Sequence, residues 1–133
     1  MKYFSKPTSG DIVWCHFPET LGRPGPKARP ALIIAVGQKD IHKTVVTIIY
    51  GTTKKLDRLY PSEFKIEKKD GPSFTLSGLA SDTKFDFDHQ VKLPFCSTWF
   101  GKAPGQLSVH EVRLGVLAPN LVAPARRAFL QAK

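Results

Sequence analysis

Two short apolar runs, Asp11 to Phe17 (DIVWCHF) and Ala31 to Val36 (ALIIAV), flank a stretch, PETLGRPGPKARP, that holds four prolines and two glycines. No other feature constrains the fold as strongly. Each run is rich in β-branched, aliphatic or aromatic residues and is bounded by turn formers, which predicts a strand. A proline-dense segment cannot donate a full ladder of backbone hydrogen bonds, so an irregular, mobile loop is expected between them.

The strand pattern continues down the chain. Thr44 to Tyr50 (TVVTIIY) reads as a third strand, ended by Gly51 and the polar, basic turn Thr52, Thr53, Lys54, Lys55. Glu63 to Ile66, Ser73 to Leu76, Thr83 to Phe87 and Val91 to Phe95 are further strand candidates, separated by turn signals such as KKDGP. Strands at this spacing predict a small barrel. From Asn120 the periodicity changes. Leu121, Val122, Ala125, Phe129 and Leu130 fit one helical face and Arg126, Arg127 and Lys133 another, predicting an amphipathic helix with Pro124 in its first turn. No repeat, low-complexity tract or linker interrupts the sequence, and a single domain over residues 1–133 is expected.

Charge and cysteine usage narrow the function. Twenty Lys+Arg against eleven Asp+Glu give a net charge of +9, an imbalance that attracts phosphate backbones or anionic surfaces. Cys15 and Cys96 are too few for a disulfide framework and lack the paired spacing of a zinc site, so both are expected as reduced core residues. No apolar run is long enough for a signal peptide or a membrane span, and a cytoplasmic protein is expected. GxSxG, Walker and HExxH motifs are absent, which argues against hydrolases of those types and against a metalloenzyme. His16, His42, His89 and His110 are scattered. Each reads first as a surface or structural residue, with His16 foremost should one be essential.

Between Gly10 and Pro30, a Gly and an acidic residue precede an apolar strand containing Trp, followed by Pro, a Gly-containing loop and Arg-Pro before an aliphatic strand. Gly10, Asp11, Ile12, Val13, Trp14, Pro18, Gly22, Arg29, Pro30, Ala31, Leu32, Ile33 and Ile34 carry the pattern. This opening resembles that of MazF/PemK-type toxins, and the later KFDF run followed by VKLPF looks like the PemK-like subgroup. The resemblance implies an α+β, mainly β fold: a small SH3-like β-barrel with a C-terminal α-helix, assembled as a homodimer. It further implies a toxin that cuts single-stranded RNA without metal or cofactor, leaving 2′,3′-cyclic phosphate and 5′-hydroxyl ends, and that is neutralised by a cognate antitoxin protein. By the same resemblance Arg29 stabilises the scissile phosphate, and a threonine after the third strand, Thr52 or Thr53, is the second catalytic position.

The residue types suit that chemistry. Attack by a neighbouring 2′-hydroxyl develops charge on a phosphorane, which a guanidinium fork and a hydroxyl donor can stabilise. Some relatives resemble a ribonuclease A scheme, with an Arg and an Asp near the fourth or fifth strand. Here the stretch reads GLASDTKFDFD, with no Arg. The acid role falls to Lys84 or Arg29, with Asp86 and Asp82 as further acid–base candidates. Strand alternation puts Lys84 and Asp86 on a solvent face and Thr83, Phe85 and Phe87 on the other, an ion pair being the alternative to catalysis. Arg23, Lys27, Lys54, Lys55 and Arg58 are candidate phosphate contacts. Trp14, Phe17, Tyr50 and Trp99 are candidate base-stacking platforms, though Trp14, mid-strand, reads first as core. Two rival functions keep the small barrel without the chemistry: a basic nucleic-acid-binding or regulatory module, and a protein-docking module built on the proline-rich loop.

Overall fold

β-branched and aliphatic residues build the opening strands β1 (Asp11–Thr20), β2 (Arg23–Asp40) and β3 (Lys43–Thr52), which form an antiparallel meander. The computed structural model describes residues 2–20, 23–102 and 112–133. Strands β4 (Glu63–Ile66), β5 (Thr83–Pro94) and β6 (Arg113–Val116) complete a six-stranded antiparallel sheet in the order β4-β5-β3-β2-β1-β6. Helix α1 (Pro72–Ser77) lies between β4 and β5 in sequence, and α2 (Val122–Leu130) follows β6.

The fold is mostly β with one C-terminal helix, as expected, but the barrel is not closed. Strands β4 and β6 are the two edges, and α1 packs against both. Gly78 ends α1 at φ 70°, the left-handed conformation that glycine adopts without penalty. A Cβ at Gly78 would strike the Leu114 carbonyl, and one at Gly115 would strike the Leu76 carbonyl. The helix end and β6 thus meet backbone to backbone.

Both faces of the sheet are buried. Ile12, Leu32, Ile49, Phe64 and Phe85 pack with Leu121, Ala125 and Ala128, whereas Val13, Cys15, Ile33, Ile48, Phe95 and Phe100 form a second cluster. Sequence neighbours such as Ile12 and Val13, or Ile48 and Ile49, therefore serve opposite faces. This explains why the opening strands read as continuous apolar runs. Cys15 and Cys96 are buried free thiols, and burial pushes the Cys15 thiol far up from its ordinary range.

Four expectations are revised. First, residues 18–20 and 23–30 are not irregular loop: β1 and β2 extend as an antiparallel arm, pairing Pro18 with Pro24 and Thr20 with Arg23 across bulges, while Leu21 and Gly22 lie outside the described residues. Among the described residues, pairing of β2 with β3 begins at Ala31 and Tyr50, so before Ala31 the β2 edge of the arm pairs with no further described strand and proline forfeits no ladder bond there. Second, Ser73 to Leu76 lie in α1 instead of a strand, because Pro72 sits at its first turn and Gly71 and Gly78 bracket it. Third, the two strand candidates at 83–87 and 91–95 are halves of one strand, β5. Fourth, α2 buries Ala125 and Ala128, while Val122, Phe129 and Leu130 remain largely exposed.

Candidate functional site

The midpoint of β5 creates the site. Between Ile49 and Gly51 strand β3 advances two residues, while β5 advances five, from Gln90 back to Phe85. The surplus residues bulge outward, and Asp88, His89 and Gln90 are exposed between buried Phe87 and buried Leu93. Bulges of this kind re-aim side chains beside functional sites. Gly51 lies opposite, because a Cβ there would sit 2.5 Å from Thr83 Cγ2 and 3.0 Å from Phe85 Cε1.

The bulge forms one wall of an open cleft of about 440 Å³, with Phe17, Lys27, Arg29 and Tyr50 among the facing residues. Arg29 is placed by pairing of β2 with Cys15 of β1 and is half-buried. Among the described side chains no carboxylate pairs with Arg29 or Lys27. The Phe17 and Tyr50 rings meet edge-on at 5.0 Å, and Tyr50 lies 6.1 Å from the His89 ring. The cleft thus combines cations, aromatic faces and an imidazole.

Of the other residues singled out from sequence, Thr52 is half-buried, follows Tyr50 by two positions on the same strand face, and accepts a hydrogen bond at Oγ1 from the Lys54 N–H at 3.2 Å. Thr53, Lys54, Lys55 and Arg58 are exposed in the segment after β3 and are not among the residues that line the cleft. Arg23 is exposed on the antiparallel arm. Trp14 is half-buried in β1, outside both core clusters and the cleft lining, whereas Trp99 is buried. His16 donates from Nδ1 to the Gly25 carbonyl at 3.0 Å and so ties β1 to the arm. His42 is exposed in the turn before β3, and His110 lies outside the described residues.

Lys84 departs from expectation. It is buried, with Nζ 3.1 Å from Glu63 Oε2 and donating to the Arg58 carbonyl at 2.9 Å. Strand alternation fails because β4 and the segment before it cover this face, so Lys84 and Phe85 are both buried. All the evident partners of this ammonium are internal. Asp82 Oδ1 accepts the Lys68 N–H at 2.7 Å, outside the cleft.

Asp86 stands at the rim of the bulge. Its Oδ1 accepts hydrogen bonds from Ser62 Oγ at 2.8 Å and the Asp88 N–H at 2.9 Å, while Oδ2 lies 2.8 Å from His89 Nδ1. An ionised carboxylate only accepts, so Nδ1–H is the donor and Nε2 is left for another partner. Sequence reasoning gave His89 no special place. Its signal was the spacing Asp-x-x-His in FDFDHQ. Neighbouring Asp88 accepts the Lys133 N–H at 2.7 Å, and this bond is the chief reason its carboxyl is held below the usual range.

The sequence matches the PemK-like, MazF-like toxins of type II toxin-antitoxin systems over residues 8–94, a span that contains the whole cleft lining. The chain belongs to this family. A similar solved structure is that of an endoribonuclease in complex with its cognate antitoxin from mycobacterial species, with a TM-score of 0.59 and 21% sequence identity, covering 95% of this chain and 93% of that one. At that identity the likeness establishes the toxin-like fold. No curated protein matches the sequence.

Proposed function

We propose that this family member is the toxin of a toxin-antitoxin pair and acts as an endoribonuclease on single-stranded RNA. The observation that carries the reading is Arg29, a cation without a carboxylate partner among the described side chains, in an open cleft beside Lys27, Phe17 and Tyr50. Cations hold phosphates, and aromatic faces take splayed bases of single strands.

In the proposed reaction the ribose 2′-oxygen attacks phosphorus and the bond from phosphorus to the 5′-oxygen breaks, giving a 2′,3′-cyclic phosphate and a 5′-hydroxyl. The Arg29 fork stabilises charge building on the phosphorane, a contribution that needs no metal ion. Thr52 is favoured over Thr53 as hydroxyl donor: it continues the Tyr50 face of β3, and its Oγ1, accepting from Lys54, keeps its own proton to give. The solved antitoxin complex of similar fold supports a cognate antitoxin as partner, and the reading includes a homodimer in the cytoplasm. Among the described residues no helix is long and apolar enough to cross a membrane.

The test is purified protein on mixed-sequence single-stranded RNA in excess chelator, comparing wild type with Arg29→Ala. Cleavage by wild type alone, yielding ends that a polynucleotide kinase labels directly at the 5′-hydroxyl, is expected. Equal cleavage by the variant refutes the role of Arg29. Binding without cleavage by wild type favours a nucleic-acid-binding module, a reading that draws on the sequestered Lys84 and on threonines that do not line the cleft.

A further inference from the structure

Of the two acid candidates, Lys84 is locked against Glu63, and Arg29 is engaged in the ribonuclease reading with the charge on the phosphorane, which leaves the departing 5′-oxygen in need of a proton donor. We propose that His89 is the general acid of this cleft and that Asp86 is its positioning residue, an inference that rests on the ribonuclease reading. Three observations carry it. His89 lines the same cleft as Arg29. Its ring is fixed through Nδ1 by a carboxylate that is itself fixed, since Ser62 Oγ and the Asp88 N–H occupy the other oxygen. The side chain is 62% exposed, so Nε2 is open to a ligand, in contrast to Lys84 at 6%.

A carboxylate behind an imidazole sets its tautomer and stabilises the imidazolium, the form that donates. As the 2′-oxygen to phosphorus bond forms, the 2′-hydroxyl proton passes to solvent. As the bond from phosphorus to the 5′-oxygen breaks, the proton on Nε2 passes to that oxygen. His89 is left neutral and regains a proton from water, so the chain and the proton count are restored. The charged and titratable groups around His89 are Asp86 and Asp88 on β5, Tyr50 on β3, Lys27 and Arg29 on β2, and Lys133 at the end of the chain through its bond to Asp88. Of these, the cations Lys27 and Arg29 hold the substrate phosphate.

The test uses two forms of one single-stranded RNA: the natural one and one whose scissile 5′-oxygen is replaced by sulfur, a leaving group that needs no proton. His89→Ala removes an exposed side chain, and its fold is checked by circular dichroism. The expected result is a loss of about a hundredfold to ten-thousandfold on natural RNA, with near-wild-type cleavage of the sulfur-linked RNA. Asp86→Asn should slow cleavage of the natural RNA and spare the sulfur-linked RNA, a discrimination that a merely structural role would not produce. Equal slowing of both RNAs by His89→Ala, or slowing of neither, overturns the general-acid assignment. Wild type that cleaves neither RNA overturns the ribonuclease reading itself, and the proposal with it.

Discussion

Strand β5 carries two ion pairs a few residues apart, and they have opposite characters. Lys84 and Glu63 are 6% and 7% exposed, whereas His89 and Asp86 are 62% and 20% exposed. Before the bulge, β4 pairs with β5 and the Arg58 to Ser62 segment caps the pair, so Lys84 finds its partners inside the fold. At the bulge β5 leaves the ladder and faces the cleft. A buried charge must have every partner in place, which leaves it nothing to offer a substrate. An exposed, oriented imidazole keeps one nitrogen in reserve.

The largest expected effect tests the sealed half of this contrast. Lys84→Ala strands the Glu63 carboxylate and should cost about 3–5 kcal/mol, read from the urea unfolding midpoint, because half of a buried pair is worse than none. A cost below about 1 kcal/mol, the range of surface pairs, would return Lys84 to the list of acids. The open half is probed next by Arg29→Ala, expected to slow RNA cleavage by about a hundredfold to a thousandfold with thermal stability unchanged. Gly51→Ala strikes the hinge between the halves. A methyl 2.5 Å from Thr83 Cγ2 must displace β5, and a loss of about 1–3 kcal/mol is expected in thermal melts. An unchanged melting temperature would mean that β3 does not set the bulge.

The smallest effect concerns pH. Because the Lys133 N–H holds the Asp88 carboxyl below its usual range, the contact is complete at neutral pH and is lost only as pH falls through the lowered value. The Lys133 amide resonance should therefore titrate on acidification and become pH-independent in Asp88→Asn. Titration that persists in the variant would place the tail elsewhere.

Much of the scaffold was legible because it depends on local pattern. The apolar runs of β1, β2 and β3 and the change of period into α2 are properties of short windows, and Arg29 followed from the opening motif. What escaped depends on register and tertiary cover. Helix α1 is short and is held by contact of Gly78 with β6, which no window reveals. Alternation assumes one covered face and so misplaces Lys84, whose strand is covered on both. The Asp86 and His89 spacing was visible, but residues three apart on a regular strand face opposite ways. Only the bulge brings them within 2.8 Å.

The contrast on β5 is tested most directly by single-turnover cleavage of one single-stranded RNA in excess chelator, with wild type, Glu63→Gln and His89→Gln compared at a temperature where circular dichroism shows all three folded. The expected result is wild-type cleavage by Glu63→Gln and a loss of about a hundredfold or more in His89→Gln. Wild-type cleavage by His89→Gln, with the loss confined to Glu63→Gln, would contradict it and move the chemistry to the buried pair.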